Sequence, residues 1–183
     1  MNIGVDIDGV IYPWHWSMYR FFCETKGFVG TQKEFWKYFR ELDSESQDYY
    51  VSIHTLYGDS SMTEDAIEYL PKLAELGTLF YITSRPSDVK RQTEKFFDKY
   101  EPPFKENLIF SHDKANHIKV NKIAYFVDDV PANVDKVSPH TKAFLFTQPH
   151  NVEQREGYNI INSLHEYYKI IKEEKIKNEL GYF

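Results

Sequence analysis

The 183-residue chain holds one cysteine, Cys23, so no internal disulfide can form and a reducing compartment is the expected setting. Positive charge is also scarce. Its 22 lysines and arginines face 28 acids, leaving a formal charge of −6 and a pI near 5.6. That balance argues against an extended groove tracking a nucleic-acid backbone, while a small anionic substrate held through a metal stays compatible. Apolar runs fall far short of a membrane span, and no basic segment followed by an apolar stretch opens the chain. A soluble, cytoplasmic protein is the expectation. There is no internal repeat and no low-complexity linker. Cys23 lies beside Phe21 and Phe22, as a small buried hydrophobe would. What remains suits a packed interior: 42% of residues are hydrophobic, with 14 tyrosines and 14 phenylalanines. The length suits one α/β domain with an appendage.

Short β-branched and aromatic runs alternate with helical patterns, which predicts repeated βα units and a parallel sheet. Five strands are expected: Asn2 to Ile7, Thr78 to Thr83, Asn107 to Ser111, Ile123 to Asp128 and Lys142 to Thr147. About seventy residues separate the first two, too many for a simple connection, so that stretch must hold its own structure. The pattern there is helical. Trp14 to Thr25 reads as one helix, and Thr31-Gln-Lys-Glu34 is a capping box for a second, Glu34 to Leu42. Tyr49 to Tyr57 suggests a third, and another runs from Thr63 to Gly77, where Pro71 is expected to kink or divide it. The tail from Ser163 to Leu180 reads as a helix whose Lys-Glu-Glu-Lys run is a solvated face.

Four places carry candidate chemistry. Asp6 and Asp8 close the first strand, and their two-residue spacing points both carboxylates at one spot beyond the strand end, where ligands bind in open α/β sheets. Two such acids make sense around a metal ion or a shared proton. Thr83-Ser84-Arg85-Pro86 ends the second strand in hydroxyls and a guanidinium, which can bind an oxyanion but is also ordinary loop chemistry. Asp128 and Asp129 end the fourth strand, or simply cap the helix at Pro131. Lys114 opens a short helix fourteen residues before Asp128 and, in isolation, would be a surface lysine. His112 and His117 straddle a loop and a helix start, a spacing that favours surface or packing roles over a metal pair.

In order, these places spell Asp-x-Asp-Gly-Val, strand-Thr-Ser, a lysine, and strand-Asp-Asp. That series resembles the four motifs of the haloacid dehalogenase superfamily of phosphotransferases. Gly-Val-Asp-Ile-Asp-Gly-Val with its aromatic sequel, and Ile-Thr-Ser-Arg-Pro, look most like the 5′(3′)-deoxyribonucleotidase group. The resemblance implies a Rossmann-like α/β fold: a five-stranded parallel sheet of order 3-2-1-4-5 flanked by helices. It implies a core over 1–11 and 71–183 and a small helical cap over 12–70. It also implies a Mg²⁺-dependent phosphomonoesterase in which Asp6 is the nucleophile that becomes an aspartyl-phosphate. Asp8 would be the general acid and base, with Thr83 and Lys114 holding the phosphoryl group. The metal ligands implied are Asp6, Asp8 and Asp128, with Asp129 holding metal-bound water. An oxygen-only set of this kind suits Mg²⁺. Dehalogenases lack the second carboxylate, so Asp8 points to phosphoester chemistry.

Tyr12, Trp14, His15 and Trp16 follow the nucleophile loop and could place rings over the leaving group, or pack the cap onto the core. Trp14, Trp16, Ser84 and Arg85 are the expected substrate-binding residues. The deoxyribonucleotidase group has a lysine where Ser87 stands here, a departure that Arg85 could compensate. A (deoxy)nucleoside monophosphate is the expected substrate. The alternatives are another small phosphomonoester, a nucleic-acid terminal phosphate, or a non-catalytic module that binds a phosphorylated ligand. The sequence permits a homodimer.

Overall fold

The computed structural model describes residues 1–51, 53, 61–154 and 156–181, leaving out the side chains of Asp48 and Val51. Strand β1 (Asn2–Val5) is followed by α1 (Trp14–Lys26), α2 (Gln32–Glu41), α3 (Ser44–Val51) and α4 (Glu64–Leu76). The chain then alternates through β2 (Thr78–Thr83), α5 (Lys90–Tyr100), β3 (Leu108–Phe110), α6 (Lys114–Val120), β4 (Ile123–Asp128), α7 (Pro131–Val137) and β5 (Lys142–Phe146). It closes with β6 (Ile160–Ile161) and α8 (Leu164–Glu179). The strands form one sheet of order β3-β2-β1-β4-β5-β6, parallel throughout. The expected order 3-2-1-4-5 is present, and β6 extends it at the β5 edge. With two residues, β6 is too short to show a periodic pattern in the sequence.

Side-chain alternation divides the core into two layers. Ile3, Val5, Tyr125, Val127 and Phe144 face one side with Tyr167 and Ile171 of α8. Phe126, Ala143 and Leu145 face the other, against Ile118 of α6 and Val134 and Val137 of α7. In register, Gly4 lies beside Phe126 and Val5 beside Val127. The next backbone bond, Asp6 N–H to the Val127 carbonyl at 3.0 Å, continues that pairing. Asp6 and Asp128 therefore emerge side by side on the α6/α7 face, where α6 can deliver Lys114.

The insertion is helical. The Thr31–Glu34 capping box closes as expected, with both reciprocal bonds formed. The third helix begins earlier than expected because Asp43 caps it, its Oδ1 accepting from Ser46 N–H at 2.9 Å. Of the expected helix Tyr49 to Tyr57, residues 52 and 54–57 lie outside the described residues. Helix α4 is not divided by Pro71. The carbonyl that Pro71 leaves unpaired belongs to Ile67, itself 51% exposed, so water can satisfy it. Helix α4 packs on α8 and β2. Among the described residues no helix is long and apolar enough to cross a membrane.

Candidate active site

At the C-terminal edge of the sheet, β1 and β4 bring Asp6, Asp128 and Asp129 together, with a carboxylate oxygen from each lying within 4.8 Å of the others. All three are buried. Lys114 Nζ, also buried, donates to Asp6 Oδ1 at 2.5 Å and to Asp128 Oδ2 at 2.7 Å. Asp128 Oδ1 accepts from the Val130 N–H at 2.9 Å, and Asn133 Nδ2 lies 3.1 and 3.2 Å from its two oxygens.

One buried ammonium does not neutralise three buried carboxylates, and the titration properties follow. Burial raises the Asp6 carboxyl well above the usual range; Lys114 opposes, and Asp128, Asp129 and Asp8 add to the rise. Asp129 is pushed up to about 7 by burial, with His150 opposing and Asp128 reinforcing. For Lys114 burial acts downward, but Asp128 and Asp6 outweigh it and hold the ammonium firmly protonated. An oxygen-only cluster short of positive charge fits a hard divalent cation such as Mg²⁺.

The turn after β1 explains the Asp-Gly pair. Gly9 adopts φ +80°, and a Cβ there would sit 2.1 Å from Asp129 Oδ2 and 2.7 Å from His15 Nε2. Neither the backbone nor the packing admits a side chain. Beyond Gly9, the Tyr12 N–H returns to the Ile7 carbonyl at 2.8 Å, so the loop folds over Asp8.

Asp8 meets Arg85 in a fork: Nε donates to its oxygens at 3.1 and 2.8 Å, and Nη2 donates to Oδ1 at 2.7 Å. Arg85 is held from behind by Thr93, whose Oγ1 accepts from Nη1 at 2.9 Å, and by the Tyr12 ring 4.7 Å from Cζ. Arg85 thus lines the cavity while its Nε and Nη2 donors are directed at Asp8. Thr83 is fully buried, and its Oγ1 accepts from the Arg85 N–H at 3.1 Å, leaving its own hydroxyl proton to donate elsewhere. Ser84 Oγ donates to the Ser111 carbonyl at 3.4 Å.

A cavity of about 300 Å³ has a lining that includes Asp6, Asp8, Trp14, Ser84, Arg85, Lys114 and Asp129, while the fully buried Thr83 and Asp128 lie behind its wall. Trp16 does not join them. It is 48% exposed and packs on Tyr19, because two helical positions turn the side chain by about 200° from Trp14. Exposed His112 also lines the cavity, whereas His117 does not.

The sequence marks His15 only as one of the rings after the first strand, and its contact with Asp129 escapes sequence reasoning, as do His150 and Asn151 altogether. His15 Nε2 meets Asp129 Oδ2, and its ring lies 4.2 Å from that of His150. His150 Nε2 and Asn151 Nδ2 reach the Asp129 carbonyl at 3.0 and 2.6 Å. Nothing local marks His150 or Asn151, which lie in the loop after β5. Asn133 carried a readable signal, since the first turn of a helix after a strand-end acid turns back towards that acid.

Solved structures share this architecture. A haloacid dehalogenase-like hydrolase from Streptococcus pneumoniae superposes with a TM-score of 0.62 at 12% identity, covering 92% of this chain and 97% of that one. A family IA, variant 3 hydrolase from Entamoeba histolytica gives 0.59 at 15% identity, covering 94% and 100%. The fold is that of the haloacid dehalogenase-like hydrolases. Within that class, the sequence model described as "5′ nucleotidase, deoxy (Pyrimidine), cytosolic type C protein" matches residues 1–177, and the chain belongs to that family. A protein of Halalkalibacterium halodurans described as a putative nucleotidase is 26% identical over 106 residues, covering 57% of this chain. That match spans 49% of the relative's length.

Proposed function

We propose that the protein is a Mg²⁺-dependent phosphomonoesterase that hydrolyses nucleoside monophosphates through an aspartyl-phosphate. The observation that carries this reading is the buried Asp6–Lys114–Asp128 bridge, opening with Asp8 onto one cavity. Asp6, the Asp8 backbone carbonyl and Asp128 would hold the cation, with Asp129 supporting its water, and the cation would supply the charge that lets an anionic nucleophile approach a phosphate dianion. An Asp6 oxygen attacks phosphorus, the P–O ester bond breaks, and the leaving alcohol oxygen takes a proton from Asp8. Water then attacks phosphorus, Asp8 takes its proton, and the P–O bond to Asp6 breaks to release phosphate. Lys114 favours the ionised form of Asp6 and aims it, and Thr83 offers its hydroxyl proton to a phosphoryl oxygen. Arg85 fixes the Asp8 carboxylate and must yield part of its fork when Asp8 carries the proton.

The cavity's volume lies at the small end for ligand sites, which suits a small phosphomonoester. Trp14, which lines the cavity, is the aromatic side chain placed to meet a nucleobase. In our reading residues 1–11 and 71–183 form the core, residues 12–70 form a cap that selects the substrate, and the protein works in the cytoplasm. The test is phosphate release from ribo- and deoxyribonucleoside 5′- and 3′-monophosphates and sugar phosphates, with Mg²⁺ or EDTA, for wild type and Asp6→Asn. Release from one nucleotide series, lost with EDTA and in Asp6→Asn, is expected. Release from sugar phosphates alone would remove the substrate assignment. An Asp6→Asn variant at the wild-type rate would refute the mechanism.

A further inference from the structure

The His15–Asp129–His150 group stands outside the Asp6–Lys114–Asp128 bridge, and its donor atoms lie within 4.8 Å of one another. Two imidazoles and a carboxylate could form a transition-metal site, but the hydrogen bonds speak against it. The Asp129 carbonyl only accepts, so the His150 Nε2 beside it at 3.0 Å must carry the proton and is not a free ligand. Among the described residues the Nδ1 atoms of His15 and His150 are both buried without a partner. A histidine that binds a metal through Nε2 almost always donates its Nδ1–H to a carbonyl or carboxylate, and neither Nδ1 has such an acceptor.

The same contacts describe a clamp. His15 Nε2 reaches Oδ2 of Asp129, leaving Oδ1 as the oxygen without a side-chain partner among the described residues. His150 and Asn151 hold the carbonyl of the same residue. His15 is itself fixed between His150 and the rings of Trp14 and Trp36, at 5.3 and 5.1 Å. It is buried, and it belongs to α1, the first helix of the insertion, whereas Asp129 directly follows β4 of the sheet. We propose that His15 is a positioning residue through which the helical insertion sets the Asp129 carboxylate for divalent-metal binding. Packing of α1 and α2 around His15 then governs metal affinity, although no residue of either helix needs to touch the ion. This inference rests on the proposed role of Asp129 at the metal.

The test compares Mg²⁺ dissociation constants by calorimetry at pH 8 for wild type, His15→Phe, His15→Gln and Asp129→Asn, alongside the Mg²⁺ dependence of phosphate release. Circular dichroism establishes that each variant is folded. His15→Phe keeps the ring's bulk and removes the donor. It should weaken Mg²⁺ binding about 10-fold or more, the range for lost partners of metal-site groups, with kcat largely recovered at saturating Mg²⁺. His15→Gln places an amide N–H near the lost Nε2 and should return the constant to within about 3-fold of wild type, a rescue that a purely structural role would not give. Unchanged affinity in His15→Phe, or equal weakening in the Phe and Gln variants, would overturn the inference. Two ions bound by wild type, one of them lost in His15→Phe, would overturn it in favour of a second metal site. A wild type that binds Mg²⁺ without turnover would refute the proposed function while the affinity comparison still decides the role of His15. A wild type that binds no Mg²⁺ would overturn both.

Discussion

Replacing Lys114 by methionine tests the electrostatic frame of the site most directly. The substitution keeps the apolar stem, whose terminal nitrogen lies 5.7 Å from the centre of the Phe126 ring, and removes both bonds to Asp6 and Asp128. Breaking a buried ion pair by deleting one partner costs about 3 to 5 kcal/mol, because the remaining charge stays buried. In a chain of this size each kcal/mol moves Tm by about 2 to 4 °C, so a fall of roughly 6 to 20 °C is expected at pH 8 in EDTA. The pH dependence has a definite sign. Burial already raises the Asp6 carboxyl even with Lys114 opposing, so ionising Asp6 disfavours the native state. Without the ammonium that cost grows, and it disappears once the carboxyl is protonated. The loss should therefore be greatest at pH 8, smaller at pH 5, and partly offset at pH 8 by saturating Mg²⁺. Urea unfolding followed by circular dichroism measures all three. A loss below about 1 kcal/mol at pH 8, or an equal loss at both pH values, would refute the reasoning.

Three further outcomes follow from contacts around the bridge. Arg85→Ala should lower kcat about 10- to 100-fold by releasing Asp8, and Arg85→Lys should not restore it, because a lysine cannot reproduce the two-pronged contact; steady-state phosphate release checks both. Gly9→Ala should destabilise by about 1 to 3 kcal/mol and weaken Mg²⁺ binding, since its Cβ would collide with Asp129; calorimetry and thermal unfolding measure the pair. Burial lowers the His150 imidazole to about 4, with His15 reinforcing and Asp129 opposing. Its contribution is thus complete above about pH 6.5 and is lost as pH falls towards 4. Across that window the stability of wild type relative to His150→Gln should fall by up to about 1.4 kcal/mol per pH unit, and a difference independent of pH would refute the assignment.

The strands and the acids at their ends were legible because the evidence for them is local: an apolar run, then a carboxylate where the run stops. Beta4 appears with its expected bounds for that reason, and Lys114 becomes meaningful only beside Asp6 and Asp128. The orientation of long side chains was not legible. Arg85 has reach enough for a phosphate or for Asp8, and the positions of Tyr12 and Thr93 settle which it meets. The His15–His150 contact joins residues 135 apart, His15 opening an aromatic helix and His150 in a loop, and no motif spacing encodes such a meeting. Trp16 reads like Trp14 as a letter, but the helical turn sends it outward.

The central place of β1 also shapes how the molecule comes into being. Asn2 pairs with Thr78 on one side and Ile123 on the other, and the Gly4 carbonyl accepts from the Tyr167 hydroxyl at 3.2 Å. Strand β1 can thus pair with β2 first, and it gains its second neighbour only after the chain has run on through α5, β3 and α6 to β4. Until β4 emerges, Asp6 lacks Asp128 beside it, and the apolar run Ile3-Gly-Val5 has one flank unpaired. Such distant pairings slow folding and lengthen the time in which strand edges are exposed to other chains. The sheet order that gathers the acids therefore sets a late assembly of the acidic cluster, and truncation before β4 would leave Asp6 without Asp128 and Asp129.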